Sequence, residues 1–527
     1  MARIPIYNLG TQGVLSDPPA HTLPPEVWTN SGNMFCAKKQ IRRTLGYVDA
    51  LGTPTVAPSF IFFVPSLDSN IWLYTSLTKA YVYDDGTHTD ITRTSGGDYT
   101  ATTHRDWNGC LVGGIPILNN GADIPQYWSA ISSGTPLANL PNWPSTLRAK
   151  VVRAFGGYLI ALNITESSTN LPQAFRWSQR ADPGAVPASW DYTSPATGAG
   201  RVELTDASGG QIVDGLILGN QFIIYKQNAT HTMRFIGGQE IFQRDLLFQT
   251  GILAPRCVTG FNKGRMHLVV TEDDIIVHGG NSSAESIIQD KVRDTVFGEL
   301  DSSNYLNSFV VEDPAYKKVL FCYPTQGQTI PDKALVWDYG DNTIDYRDII
   351  GVSADIGSLV VDTDTVTWDG DSGTWDADTG VWNEEAGFLG RRRVLFASPS
   401  ETKTWVLNST YVFGSTVQTR SFVERTGLAI VGRDRQGQPK ADYETRKLFK
   451  RIWPKITGLA SVYVSLGSQE DLQDEVTWAS SKLFIPDQKY LDFEVAGKFG
   501  AVRFESTDDA PWQLEGYDLE LEVLGTL

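Results

Sequence analysis

Between residues 365 and 388 the chain repeats WDGDSGT, WDADTGV and WNEEAGF, placing Trp368, Trp375 and Trp382 seven residues apart. The pairs Asp369/Asp371 and Asp376/Asp378 each precede a glycine in the order Asp-x-Asp-x-Gly, which is how calcium loops begin. A calcium loop also needs six or more oxygens and a distal bidentate carboxylate. These four aspartates are therefore metal candidates with an incomplete ligand set, and neither a metal nor any cofactor is expected. Glycine at 373, 380 and 387 forbids a stable helix at this spacing. The preferred reading is a ladder of tight turns with packed indoles, free of metal. Ser372 sits in Gly-Asp-Ser-Gly and His104 in TATTHRD, two parts of a nucleophilic triad, but Thr-Trp follows the glycine where an oxyanion hole needs glycines. GxSxG, GxxxxGK[ST] and HExxH are absent. The histidines at 21, 88, 104, 231, 267 and 278 show no ligand spacing, and His267 and His278 read as satisfied structural groups. Cys36, Cys110, Cys257 and Cys322 form no CxxC pair and read as buried free thiols. No catalytic residue is assigned.

The elements that would have to position such groups are strands. Residues 106–128, DWNGCLVGGIPILNNGADIPQYW, read as an Asn-Gly turn, an apolar run from Cys110 to Leu118, a turn at 119–121 and a short segment ending in Tyr127-Trp128. Variants return as GGYLIALNI, GNQFIIYKQ, KGRMHLVVT and YKKVLFCYP, with turn residues at 109, 156, 219, 264 and 316. Small antiparallel sheets recurring about every 40–50 residues are the mark of a β-propeller. With 527 residues, 41% of them hydrophobic, the chain can bury a large core, and its 49 glycines and 26 prolines supply turns rather than helices. The fold class is all-β.

Three regions follow. Residues 1–58 carry Pro pairs at 18-19 and 24-25 and read as an extended N-terminal arm. Residues 59–414 are the β-propeller, with the Trp repeat inserted near 365–388. Residues 415–527 alternate apolar and polar side chains in SVYVSLG, KLFIP, YLDFEVAG, AVRFES and YDLELEVLG, as a β-sandwich-like domain does. The charged run 433–440 reads as an exposed loop or a docking loop. The arm is expected to cross to a neighbouring subunit and bury Trp28, Phe35 and Tyr47 there, which makes these three the assembly-interface candidates.

The arm also carries a family resemblance. Asn8-Leu9-Gly10, Gly13-Val14, Asp17, Pro19, LPPE at 23–26, Trp28, Asn33, Ile41, Arg43 and Gly46-Tyr47 match the start of the tail nozzle proteins of short-tailed bacteriophages, the tail tubular protein B and distal hub group. Residues 107–128 and 498–525 resemble the same group. The resemblance implies a virion component assembled in the host cytoplasm: a homohexameric ring that forms the distal tail tube, contacts an upstream adaptor ring and tail fibres or spikes, and lets the genomic DNA pass. Nothing in the composition says this by itself.

The net charge of −17 excludes a surface built to grip nucleic acid, which needs a basic face. In a ring of six it amounts to about −100, which either lines a lumen that repels phosphate or serves solubility on the exterior. The start, MARIPIYNLGTQG, carries no secretion signal, and no run reaches the ~20 apolar residues of a membrane span, so membrane insertion is not expected. The rival reading is a propeller glycoside hydrolase, sialidase-like, or a glycan-binding protein, whose axial funnel would gather acidic pairs and arginines. Against it, the Asp-box-like turns are tandem rather than one per blade, and Arg3-Ile4-Pro5 precedes every blade. A propeller scaffold of the Trp-Asp or kelch type would show its signature in each blade, and none does.

Overall fold

The computed structural model of the chain describes residues 2–65, 71–84, 86–205, 210–238, 240–359, 392–414, 419–433, 439–485 and 487–525. Seven four-stranded antiparallel sheets follow one another, at residues 60–90, 108–139, 147–203, 212–248, 258–286, 309–348 and 353–407. These are the blades of a seven-bladed β-propeller. The first strands of blades 2 to 7 touch in succession, Ser353–Ser358 of blade 7 packs on Phe60–Val64 of blade 1, and a Cβ on Gly109 of blade 2 would stand 3.6 Å from Phe62 of blade 1, so the ring closes. Asp355 Oδ2 clasps that closure by accepting the Phe63 N–H at 2.7 Å.

The hairpins that begin the blades depend on residues that tolerate left-handed backbone. Gly113 and Gly114 have φ of 59° and 88°, as do Gly156 and Gly157, the double positive φ of a two-residue hairpin turn. The expected single apolar run from Cys110 to Leu118 is therefore two strands, Asn108–Val112 and Ile115–Asn119, folded at Gly113-Gly114. The expected Asn-Gly turn is instead the start of the first strand. Asn108 reaches sideways to blade 3, its Oδ1 accepting the Val152 N–H at 2.9 Å, and a Cβ on Gly109 would stand 3.0 Å from Leu118.

Blade 7 takes its outer strand from the N-terminal segment: Tyr47–Asp49 pairs with Lys403–Leu407. The remainder of that segment builds the sandwich. Ala2–Tyr7, Met34–Ala37 and Gln40–Arg43 join a six-stranded sheet with Arg446–Gly458, Leu491–Gly497 and Trp512–Gly525. Asn30–Gly32 joins the facing six-stranded sheet with Ser421–Leu428, Phe499–Ser506 and Val462–Gln469. The segment is extended, as expected, but where a crossing to a neighbour was expected its strands pair within the chain: Ala2–Tyr7, Asn30–Gly32 and Met34–Ala37 on one side each, Gln40–Arg43 on both. The propeller is thus an insertion between the two parts of a sandwich.

The two domains meet along the outer strand of blade 6, Thr343–Asp348. Val14 N–H donates to Ile344 O at 2.9 Å, Asn33 N–H to Tyr346 O at 2.9 Å, and Cys36 N–H to Asp345 Oδ2 at 3.0 Å. All four cysteines are buried free thiols, and burial pushes Cys110 and Cys257 up to about 12. The charged run at 433–440 leaves a two-stranded hairpin, Ile430–Arg433 with Pro439–Ala441, whose tip lies outside the described residues.

Candidate functional site: the axial funnel

Asp369, Asp371, Asp376 and Asp378 lie outside the described residues, as does the Trp repeat that holds them. Of the three interface candidates, Trp28 and Tyr47 are buried inside the chain and Phe35 is half-buried there. Trp28 is fully buried in the sandwich, donating its indole N–H to Leu9 O at 3.0 Å and meeting Phe504 edge-on at 6.3 Å. Tyr47 stands on the closing strand of blade 7, edge-on to Trp405 and Phe413 at 5.5 and 5.4 Å. Phe35 is half-buried where the domains meet, with Lys318 Nζ 4.1 Å above its ring. The physical reason is the same for each: a large aromatic on a segment that pairs in its own chain is buried by that chain first.

His267 and His278 occupy adjacent strands of blade 5 and share one partner, Tyr225 of blade 4, with both contacts at 2.8 Å. They are satisfied structural groups, as their strand positions led one to expect. His104 lies in the short helix His104–Asp106 just before blade 2 with its Nε2 buried and unpartnered, and burial, helped by Arg256 and Arg105, pulls it down to about 4. The imidazole is therefore neutral across physiological pH.

Geometry gathers a different set around the propeller axis. The seven first strands wall a cavity of about 400 Å³, and above it the segments leading into blades 2 to 6 form a funnel of about 470 Å³. Arg153, Asp214 and Arg256 border both and so mark the neck between them. Arg105 and Lys150 line the funnel above.

Asp214 organises the neck. Its Oδ1 lies 2.7 Å from Arg153 Nη2 and accepts the Gly215 N–H at 2.7 Å, while its Oδ2 accepts the Arg256 N–H at 3.0 Å. With both oxygens engaged, it is not a free base. Asp106 is likewise committed. Burial alone would oppose its ionisation, but N–H and O–H bonds from Thr103 and Thr102 outweigh burial and hold its carboxyl below the usual value.

Arg256 is held in the left-handed region at φ 65°, a conformation that costs a non-glycine residue roughly 1 kcal/mol or more and persists where its surroundings fix it. Here they do: its N–H is on Asp214 and its carbonyl accepts the Val310 N–H at 2.9 Å. Its Nη1 donates to Val352 O at 3.1 Å, but Nε and Nη2 are buried without a partner. Burial, with Arg153 and Arg105 adding, brings the guanidinium down to about 10, so it stays charged at neutral pH. Arg105 has one long bond, 3.4 Å to Asn307 Oδ1, and Lys150 is exposed; among the described residues neither makes an ion pair.

Nothing in chain order links Arg105, Arg153 and Arg256. They lie near the starts of blades 2, 3 and 5, and only the blade register, a few residues before or within each first strand, would have aligned them. Among the described residues no three His, Cys, Asp or Glu side chains gather to hold a metal ion, and no helix is long and apolar enough to cross a membrane.

No family model matches the chain, and no curated protein matches it. Solved propellers do. The WD40 domain of Neurospora crassa Pan2 is 11% identical, covering 69% of this chain and 94% of its own, with a TM-score of 0.37. The N-terminal domain of Nup159 is 8% identical over 70% and 95%, with a TM-score of 0.35. Kluyveromyces lactis Hsv2 is 11% identical over 55% and 84%, with a TM-score of 0.32. Likeness of this size carries no argument about function; the propeller is read from the chain's own seven sheets.

Proposed function

We propose that the chain is a structural subunit of the distal tail tube of a short-tailed bacteriophage, a conduit wall and attachment platform without catalytic residues. One observation carries the reading: Ile41 and Arg42, in the N-terminal stretch that resembles the nozzle group, pair with Leu514 and Gln513 in the C-terminal stretch that does. Ala2–Tyr7, just before the first stretch, pairs with Trp512–Gly525 from Ala2↔Leu521 to Tyr7↔Gly516. Motifs separated by nearly the whole chain thus form one structural unit, which is what a shared architecture would require. Arg3 fastens the unit, with Nη2 2.6 Å from Asp518 Oδ2 and its guanidinium 4.3 Å from the Trp453 ring.

The axial cavity of about 400 Å³ suits a small molecule, not a duplex. In this reading DNA passes between assembled subunits, and the propeller is wall rather than pipe. The glycosidase alternative gains the arginines of the funnel, but Arg3 is engaged in the sandwich, and Asp106 and Asp214 are tied by hydrogen bonds. Electron microscopy of the purified protein or its virion tests the proposal. Six-fold rings or labelled tail tips support it; monomers that hydrolyse glycans overturn it.

A further inference from the structure

Across a chain of net charge −17, carboxylates are plentiful, and several buried or half-buried arginines have found one: Arg43 with Asp509, Arg93 with Asp123, Arg176 with Glu166. Others, such as the buried Arg347 and Arg425, bond amide or carbonyl oxygens instead. Arg105, Lys150 and Arg256 all face the funnel without an ion pair among the described residues, and its two carboxylates are committed to Arg153 and to backbone and hydroxyl donors. A cation cluster kept short of counter-charge lowers the energy of an incoming anion.

The chemistry of that anion follows from which donors of Arg256 are unused. A guanidinium offers its edges as pairs of parallel N–H groups. Nη1 is on Val352 O, and the unpartnered pair, Nε and Nη2, makes up one complete edge. Two parallel donors match the two oxygens of a carboxylate, and an unpaired buried guanidinium edge gains more from such a partner than an exposed one. The left-handed backbone, pinned by Asp214 and Val310, and the Nη1 bond to Val352 O hold the Arg256 guanidinium at the neck.

We infer that the propeller's axial funnel is a carboxylate-binding site, in which Arg256 receives the two oxygens side-on and Arg105 and Lys150 supply the surrounding positive field. Arg153 and Asp214 position Arg256 and do not themselves meet the ligand. The carboxylate comes either from a small acid or from an aspartate or glutamate side chain of a protein docked on this face, and the same chemistry serves both.

Calorimetric titration of the full chain at constant ionic strength separates the two sources, with sodium glutarate in one arm and the acetylated, amidated tripeptide Gly-Glu-Gly in the other. Saturable binding tighter for glutarate identifies a small acid; binding of the peptide as tight or tighter identifies a docked side chain. Arg256→Lys keeps the charge but loses the edge and should weaken either ligand at least ~10-fold. Should that variant fail to fold, Arg105→Gln, a side chain that among the described residues bonds only Asn307, should still weaken binding by several-fold. No saturable binding of either probe to the wild-type chain overturns the inference, as does undiminished binding by the variants. Because neither arm involves virions or assembly, failure here leaves the tail-tube reading standing, and the reverse holds.

Discussion

Tyr225 donates its hydroxyl proton to His267 Nδ1, 2.8 Å away, and the direction is forced from both ends of a buried relay. His267 Nε2 faces Ile217 O at 2.9 Å, and a carbonyl only accepts, so Nε2 carries the hydrogen and Nδ1 is the acceptor. His278 Nδ1 accepts the Gly280 N–H at 3.2 Å, so its Nε2 donates to Tyr225 Oη. Both imidazoles are neutral, and burial pulls each down to about 4, with His267 adding to the effect on His278.

Replacing Tyr225 with Phe strands an acceptor on His267 and a donor on His278. The loss should be roughly 2–6 kcal/mol in urea unfolding, since each of the two stranded buried groups costs about 1–3 kcal/mol. A change below 0.5 kcal/mol would show that the relay holds nothing.

The same relay sets a pH dependence. The folded values lie below the ordinary 6.5, so the unfolded chain binds more protons between the two. Its stabilisation is complete above about 6.5 and falls as pH drops toward 4. His278→Gln should shrink that slope in chemical-denaturation profiles taken from pH 7 to 4.5.

Asp345 works in the opposite sense. Burial drives its carboxyl up to about 6, against the pull of Lys318 and the Cys36 N–H, so the folded chain binds more protons than the unfolded one between 3.8 and 6. That contribution is present below 3.8 and is lost as pH rises through 6. Asp345→Asn keeps an acceptor for Cys36 and should add roughly 1–3 kcal/mol at pH 7. A loss at pH 7 would mean that Lys318 depends on the carboxylate more than burial penalises it.

Ser358 and Arg392, which bracket the Trp repeat, are paired residues of adjacent strands in blade 7. Replacing 360–391 with a three-residue turn should therefore leave the melting temperature within about 3 °C, because loop length alone changes stability little. A collapse of the cooperative melt would show that the repeat is part of the propeller's core.

Removal of residues 2–46 should not give a soluble core. It strips three strands from one sheet of the sandwich and one from the other, exposing Phe504, Leu519 and Leu521 along with unpaired edges. Static light scattering after expression at low temperature would show aggregates; a monodisperse, cooperatively melting product would contradict the shared-sandwich topology.

The blade hairpins and the alternating C-terminal strands were legible because their partners are close in sequence. Gly156-Gly157 and Lys263-Gly264 fall at the hairpin turns where the repeat placed them, whereas Asn108-Gly109 was misread because an Asn-Gly pair spells a turn until a neighbouring blade claims the asparagine. The closing strand Tyr47–Asp49 is three residues long and its partner lies more than 350 residues away, so no local pattern could expose it. Proline pairs in the same segment read as a free arm, although proline fixes only the extended conformation and not what the extended chain lies against. The funnel was illegible for the same reason: single arginines on separate blades have no spacing rule.

The inserted propeller also imposes an order in time. Ala2–Tyr7 cannot meet its partner residues 516–521 until more than 500 residues have been made, which at about 5–20 residues per second is roughly half a minute to a minute and a half. Through that interval the first strands remain open edges, while the seven blades, built mostly of near-neighbour hairpins, can form as they are made, the seventh with Tyr47–Asp49 already to hand. The last strand, Trp512–Gly525, then pairs with Ala2–Tyr7 and Gln40–Arg43 on one side and Arg446–Gly458 on the other. Synthesis of Trp512–Gly525 is thus the step that locks the sandwich, and a nascent chain stalled before residue 512 would carry a nearly finished ring with its domain clasp still undone.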